Sequence, residues 1–390
     1  MRLANRVSRL GQETAFEVLA KAKKLEAEGK KIVHLEIGEP DFDTPRNIRE
    51  AAKKAIDKGW THYGPSGGLP QLKEAIVSYI ERTRHLKYDP DQVVVMPGGK
   101  PVMYFLIHAL VNEGDEVIYP NPGFPIYESV INFVGAKPVP IQIKEEKEFN
   151  LDVSDLEKLL SPKTKLLILN SPQNPCGGVL SLKELEKIAD LLKKYPDVMV
   201  MSDEIYSEIL YEGKHHSIAA LDGMKDRTII LDGYSKTFAM TGWRLGYAVC
   251  PKDIAPSMVK LMNNSVSCTA SFTQIAGIEA LNGPWDDVKK MVAEFKTRRD
   301  VIVEGLNKIP GFTCRKPNGA FYVFPNIKKT GVSSKDMADM LLYEGGVACL
   351  SGASFGAFGE GYIRFSYANS VENIKIALDS IKKLSHKWAK

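Results

Sequence analysis

Thr228-Ile229-Ile230-Leu231-Asp232-Gly233-Tyr234-Ser235-Lys236-Thr237-Phe238-Ala239-Met240-Thr241-Gly242-Trp243-Arg244 carries three signals in one place: an apolar run, a glycine turn and a lysine in uncharged company. The run Thr228–Leu231 is short, apolar and partly β-branched, as expected of a strand buried on both faces of a sheet. Six more runs of this kind lie on either side: Val93–Met96, Val117–Tyr119, Val139–Ile143, Leu166–Leu169, Val198–Met201 and Leu245–Cys250. Helical patterns fill several of the gaps. One opens at Gly98-Gly99-Lys100-Pro101, where proline suits a first helical turn, and another covers Leu182–Tyr195. Strands alternating with helices predict an α/β fold: a mostly parallel seven-stranded sheet sandwiched by helices.

Further from that centre the pattern changes. Trp285–Leu306 reads as a long charged helix, followed by strands at Ala320–Phe324, Val347–Leu350 and Tyr362–Tyr367 and a closing helix at Val371–Leu384. The N-terminal helix Phe16–Glu28 stops at Gly29. The expected division is a large domain over 46–284 and a smaller α+β domain made of 1–45 and 285–390. A chain of 390 residues is long enough to need two cores.

Composition narrows the class. With 44% hydrophobic and 26% charged residues the chain reads as globular, and a net charge of +4 gives no reason to expect a nucleic acid or membrane partner. No apolar stretch approaches membrane-spanning length, and Met1–Arg6 runs into Glu13 and Glu17 without an apolar signal core. The five cysteines (176, 250, 268, 314, 349) show no CxxC pair, and no His, Asp and Glu cluster has metal-ligand spacing. A cytoplasmic protein without a metal is the expectation.

In an open α/β sheet, ligands bind beyond the carboxyl ends of the strands. The residues following each run are Pro97-Gly98-Gly99-Lys100, Pro120-Asn121-Pro122-Gly123-Phe124, Asn170-Ser171-Pro172-Gln173-Asn174-Pro175, Ser202-Asp203-Glu204-Ile205-Tyr206, and the quoted stretch to Lys236. Polar and aromatic residues thus collect on one sheet edge. Lys236 is the sole charge between Gly233 and Trp243, whereas lysines such as Lys23-Lys24 or Lys382-Lys383 mark solvated faces. Desolvation lowers an amine's pKa and makes it a usable nucleophile, although a lysine so placed is more often structural when nothing else accompanies it. Arg364 is a second odd charge, inside the apolar run Tyr362–Tyr367.

Ser235-Lys236-Thr237-Phe238-Ala239-Met240-Thr241-Gly242-Trp243-Arg244 resembles the cofactor-lysine signature of class I/II aminotransferases, the fold-type I family dependent on pyridoxal 5′-phosphate (PLP). The resemblance runs from Gly38-Glu39-Pro40-Asp41-Phe42 to Arg364, with the motifs in the family's order, and is strongest to the prokaryotic aspartate aminotransferase branch. It implies that Lys236 carries PLP as a Schiff base, with Asp203 on the pyridine nitrogen and Tyr206 and Asn174 on the 3′-oxygen. It implies a phosphate site from Gly98, Gly99, Lys100, Ser235 and Arg244, completed by Tyr63 from the partner subunit of a homodimer. Phe124 matches the position that stacks on the ring. Arg364, with Gly38 and Asn174, would hold the substrate α-carboxylate. Phe321 is expected either at the pocket wall or in the core.

The activity implied is ping-pong transfer from an L-amino acid to a 2-oxo acid, plausibly 2-oxoglutarate, through pyridoxamine phosphate. In relatives the Lys100 position meets the distal carboxylate of acidic substrates. Glu13 at the pocket mouth would repel such a group, which counts against aspartate as the donor and leaves alanine, aromatic and basic donors open. A PLP lyase or decarboxylase on the same fold is the alternative. Ser257-Met258-Val259-Lys260 and Lys329-Thr330-Gly331 give a weaker match to a serine acyl-enzyme hydrolase, without its S-x-N element. His215-His216 is expected to lie in an exposed loop.

Overall fold

The computed structural model describes residues 3–388, so the first two and last two residues of the expected small domain lie outside the described residues. A short strand β1 (Val33–His34) precedes a central sheet of β2 (Val93–Met96), β3 (Glu116–Asn121), β4 (Lys137–Lys144), β5 (Asn150–Leu151), β6 (Thr164–Asn170), β7 (Met199–Asp203), β8 (Thr228–Gly233) and β9 (Gly246–Val249). Its order is β2-β9-β8-β7-β6-β3-β4-β5. All seven expected runs are strands of this sheet. The eighth is the two-residue β5, antiparallel to β4 at the edge and too short to show as a pattern.

Every residue of β2, β3, β8 and β9 is buried, because helices cover both faces. Strand β4 alternates between buried and exposed positions along Val139–Gln142, as a strand near the edge does. Neighbours from β8 through β7, β6 and β3 to β4 pair in parallel, whereas β9 is antiparallel to both β2 and β8. The reversal of β9 has a consequence for function. Its beginning, not its end, lies at the edge where the parallel strands finish, so the residues just before Gly246 join those just after Gly233 and Met96. Gly246 pairs with both Met96 and Gly233, and a Cβ there would stand 2.6 Å from the carbonyl carbon of Gly98. Only glycine lets the two chains approach this closely.

The remaining strands are β10 (Tyr322–Val323), β11 (Val347–Ala348), β12 (Leu350–Ser351) and β13 (Ile363–Ser366). Strands β10 and β12 flank β13 antiparallel, and β1 pairs in parallel with β11. Helices Asp286–Leu306 and Val371–Leu384 bury Phe295, Ile302, Leu306, Ile374 and Ile381 in one apolar cluster with Phe321, Val347 and Phe365. The N-terminal segment therefore packs with the C-terminal third through backbone pairing. Among the described residues no helix is long and apolar enough to cross a membrane.

His215 departs from expectation. It is largely buried, with Nε2 2.9 Å from Glu204 Oε2, because the chain after Tyr211 turns back over a buried polar cluster instead of projecting into water. In that cluster Arg84 Nε donates to Glu204 at 3.1 Å and Nη2 to Asp232 at 2.7 Å, all three side chains being nearly inaccessible.

Candidate active site

The parallel strands converge on a cavity of about 550 Å³ lined by Lys236, Asp203, Tyr206, Asn174, Ser235 and Arg244, among others. Lys236 and Asp203, assigned from separate segments of sequence, thus share one chamber. Lys236 is partly buried, and Nζ donates to the carbonyl oxygen of Gly38 at 2.5 Å. Burial lowers its pKa to about 8, the nearby Glu39 acting against the shift and Arg364 with it.

Asp203 ends β7 with a buried side chain. Burial raises its pKa to about 6, while the Tyr127 hydroxyl and the Ile205 amide, donating to its two oxygens, hold it lower than burial alone would. No cation pairs with it among the described residues. An ionisable carboxyl so placed suits a site that receives a positive group.

Arg364 lies at the centre of the apolar β13, 4% exposed. Its Nη1 donates to Asn174 Oδ1 at 3.2 Å and Nη2 to the Glu36 carbonyl, and its guanidinium faces the Tyr322 ring at 4.6 Å. Nε is buried with no partner, leaving part of the planar fork free for an anion.

The helix Gly99–Leu110 begins just after β2 ends, and its first residues, Gly99 and Lys100, line the chamber, whereas the Gly98 amide donates to the Met96 carbonyl at 2.7 Å. Gly98 has φ +99°, and Arg244 occupies the space that a Cβ there would need. Arg244, just ahead of β9, is exposed and held by its Nη1 on the Thr241 carbonyl at 2.7 Å. Phe124 lines the chamber, with its ring edge-on to Tyr127 at 5.6 Å.

Three more of the expected residues are placed as follows. Phe321 is fully inaccessible and stacks on Phe295 at 5.1 Å; it lies behind the wall, in the core, and Tyr322 takes the place at the cavity. Successive residues of an extended chain face opposite ways, so a step of one residue decides which is which. Lys100 is ion-paired with Glu13 instead of turned to a phosphate site, and Glu13 is accordingly not a bare negative charge. Tyr63 is 90% exposed and lies outside the cavity of its own chain, in keeping with the expectation that it serves another subunit.

Two contributors were missed by sequence reasoning. Tyr127 sits three residues past the end of the strand-end segment singled out, on the helix Ile126–Phe133, and its hydroxyl donates to Asp203. Tyr322 Oη is 2.7 Å from Tyr206 Oη, and a side chain at Gly38 would collide with it. Ser257 of the hydrolase pattern is exposed on the helix Ala255–Asn263 and outside the cavity.

The model of the family "Aminotransferase class I and II" matches residues 30–381. The chain belongs to the class I and II aminotransferases. An aspartate aminotransferase of Pyrococcus abyssi is 44% identical over 359 residues, covering 91% of this chain and 92% of the relative. Aromatic-amino-acid aminotransferase 2 of Thermococcus litoralis is 42% identical over 357 residues, covering 90% and 91%. The crystal structure of the aspartate aminotransferase from Rhizobium meliloti superposes with a TM-score of 0.95 at 35% identity, covering 100% of both chains. This aminotransferase is therefore an enzyme of amino-group transfer with the aspartate aminotransferase-like fold, and neither a hydrolase nor a lyase is favoured.

Proposed function

We propose that this aminotransferase uses PLP, held by Lys236, to move the amino group of an L-amino acid to a 2-oxo acid such as 2-oxoglutarate. The observation that carries the reading is the shared chamber of Lys236, Asp203 and Arg364. The donor set fits the cofactor: the start of the helix at Gly99 with Ser235 and Arg244 suits its phosphate, Phe124 its ring face, and the unneutralised Asp203 its ring nitrogen. When bound, PLP supplies an electron sink for the pair left at the substrate Cα.

The chain's own residues do the rest. Arg364, steadied by Asn174 and the Glu36 carbonyl, orients the substrate through its α-carboxylate. Lys236 Nζ, with a pKa near operating pH, takes the proton from Cα and can return it. Asp203, held by Tyr127, keeps a compensating positive charge at the far end of the chamber. Tyr206 and Tyr322 share a hydrogen bond at the wall and exclude water there. The enzyme is read as a cytoplasmic homodimer, with Tyr63 of one subunit reaching the phosphate site of the other.

The test is spectral. Protein loaded with PLP and mixed with an amino acid should convert its absorbance to that of pyridoxamine phosphate, with release of the 2-oxo acid. Lys236→Ala should still bind PLP without a covalent link and lose at least about a thousandfold in turnover. Near-normal turnover in that variant would refute the assignment.

A further inference from the structure

The segment that leads from β1 towards the cavity carries two charged residues inside the small-domain core, His34 and Glu36. Glu36 is fully inaccessible, and its backbone carbonyl is the acceptor that steadies Arg364 Nη2. Its side-chain Oε1 meets His34 Nδ1 at 2.8 Å, whereas Oε2 is buried with no partner. His34 Nε2 lies 3.1 Å from Oε1 of Glu26, on the helix Thr14–Ala27. Both ring nitrogens therefore face carboxylates, which only accept, so the arrangement is complete only when each nitrogen carries a proton. Burial works against that charge, but the hydrogen bonds and charges of Glu36 and Glu26 outweigh it and raise the His34 pKa above its ordinary value.

A buried carboxylate without a cation is costly. The cations that bear on Glu36 are His34, which pairs with it, and Arg364, which feels its charge without being paired to it. Arg364 Nε is itself buried and unpartnered. An unsatisfied acceptor and an unsatisfied donor thus belong to two residues already joined through one backbone carbonyl. The thiol of Cys349, the residue after β11, is pushed up by burial and by the charges of Glu36 and Asp339, with Arg364 opposing, so it stays neutral. Asn369 Nδ2 donates to the His34 carbonyl at 2.9 Å, and Lys23 stands 3.7 Å from Glu26. The helix Val371–Leu384 packs against β1 but brings no ion pair to His34 or Glu36 among the described residues. The His34 side chain is 28% exposed and exchanges its proton with water, which the enclosed Glu36 does not reach.

We propose that protonated His34 is a positioning residue for substrate binding: it holds the Glu36 carboxylate off Arg364, so that the guanidinium is free for the substrate α-carboxylate. When His34 loses its proton, Glu36 loses its cation, and its charge falls on Arg364 in competition with the substrate. By linkage, the proton on His34 and the carboxylate on Arg364 strengthen each other's binding by the same factor. Affinity for amino acid and oxo acid alike therefore falls as pH rises through the His34 pKa. The inference rests on the transaminase reading above, in which Arg364 takes the α-carboxylate.

The experiment follows the half-reaction of the pyridoxamine phosphate form with 2-oxoglutarate, or with pyruvate if that does not react, from about pH 6 to about pH 9. Wild type, His34→Gln, Glu36→Gln and the double variant are compared. Lys236 titrates in the same range, so each variant is read against wild type. At about pH 6, His34→Gln should raise KM about fivefold or more with kcat within about twofold, because a binding interaction common to ground and transition states is weakened. Glu36→Gln should keep a low KM at high pH, where wild type loses it, and the double variant should behave as Glu36→Gln does. A packing role alone would raise KM in both single variants at every pH, and that result overturns the inference while leaving the transaminase reading intact. If His34→Gln folds poorly, Glu36→Gln decides by itself: a pH dependence of KM equal to that of wild type overturns the inference. A wild-type enzyme that converts neither oxo acid overturns the transaminase reading and the inference together.

Discussion

Lys236 places an amine inside the protein, and burial brings its pKa from 10.5 to about 8. The cofactor-free folded chain therefore releases this proton at a lower pH than the unfolded chain does. Below about pH 8 both states carry the charge, and the folded state bears the cost of burying it. Between about 8 and 10.5 the unfolded state binds more protons, so this residue's contribution to stability rises with pH across that window. Lys236→Met is expected to stabilise the cofactor-free protein at about pH 7 by at most on the order of 3 kcal/mol, with the advantage closing as pH passes about 10. Thermal melts of the two cofactor-free chains at both pH values check this. The anomaly behind the prediction, one charge in an uncharged stretch, was legible in the sequence. That the Gly38 carbonyl receives the ammonium was not legible, since 198 positions separate the two and the resemblance implied Gly38 only as a contact of the substrate carboxylate.

Strands β7 and β8 bring Asp203 and Lys236 to the cavity, and the same strands are tied together behind it. Arg84 bridges Glu204, next to Asp203, and Asp232, four residues before Lys236. Burial pushes Asp232 up to about 7, with Arg84 opposing; Glu204, although buried, is held down to about 2 by His215 and Arg84. Arg84→Met would leave both carboxyls buried without that cation. A loss of about 3–5 kcal/mol is expected from breaking such a network, measured by urea unfolding of the cofactor-free protein. None of this was visible beforehand, because Arg84 ends an ordinary amphipathic helix and nothing local marks it as buried. The seven long strands were visible from their apolar runs. The direction of β9 was not, since strand direction depends on how the connection folds back and leaves no mark in composition. Phe321 and Tyr322 show the same limit at finer grain: both are large aromatics, and only the path of the backbone decided which one meets the cavity.

For the whole molecule, the dimer proposed here can be checked directly. Light scattering coupled to size exclusion should give twice the chain's mass, and Tyr63→Ala should weaken PLP binding by about tenfold while leaving that mass unchanged. Tyr63 stands 90% exposed with no role in its own chain's cavity, which is what motivates the variant. The sequence by itself determined the alternation of strands and helices, the odd charges at 236 and 364, and the convergence of polar residues on one sheet edge. Those features follow from local patterning and from the rule that open α/β sheets bind at their strand ends. Tertiary structure alone decided that Glu13 neutralises Lys100, that Tyr127 and Tyr322 complete the site, and that the N-terminal strand pairs with Val347 and Ala348. Each of these is a contact between residues far apart in the chain, set by the packing of whole elements, and pairings of that range have no signature in either partner's neighbourhood.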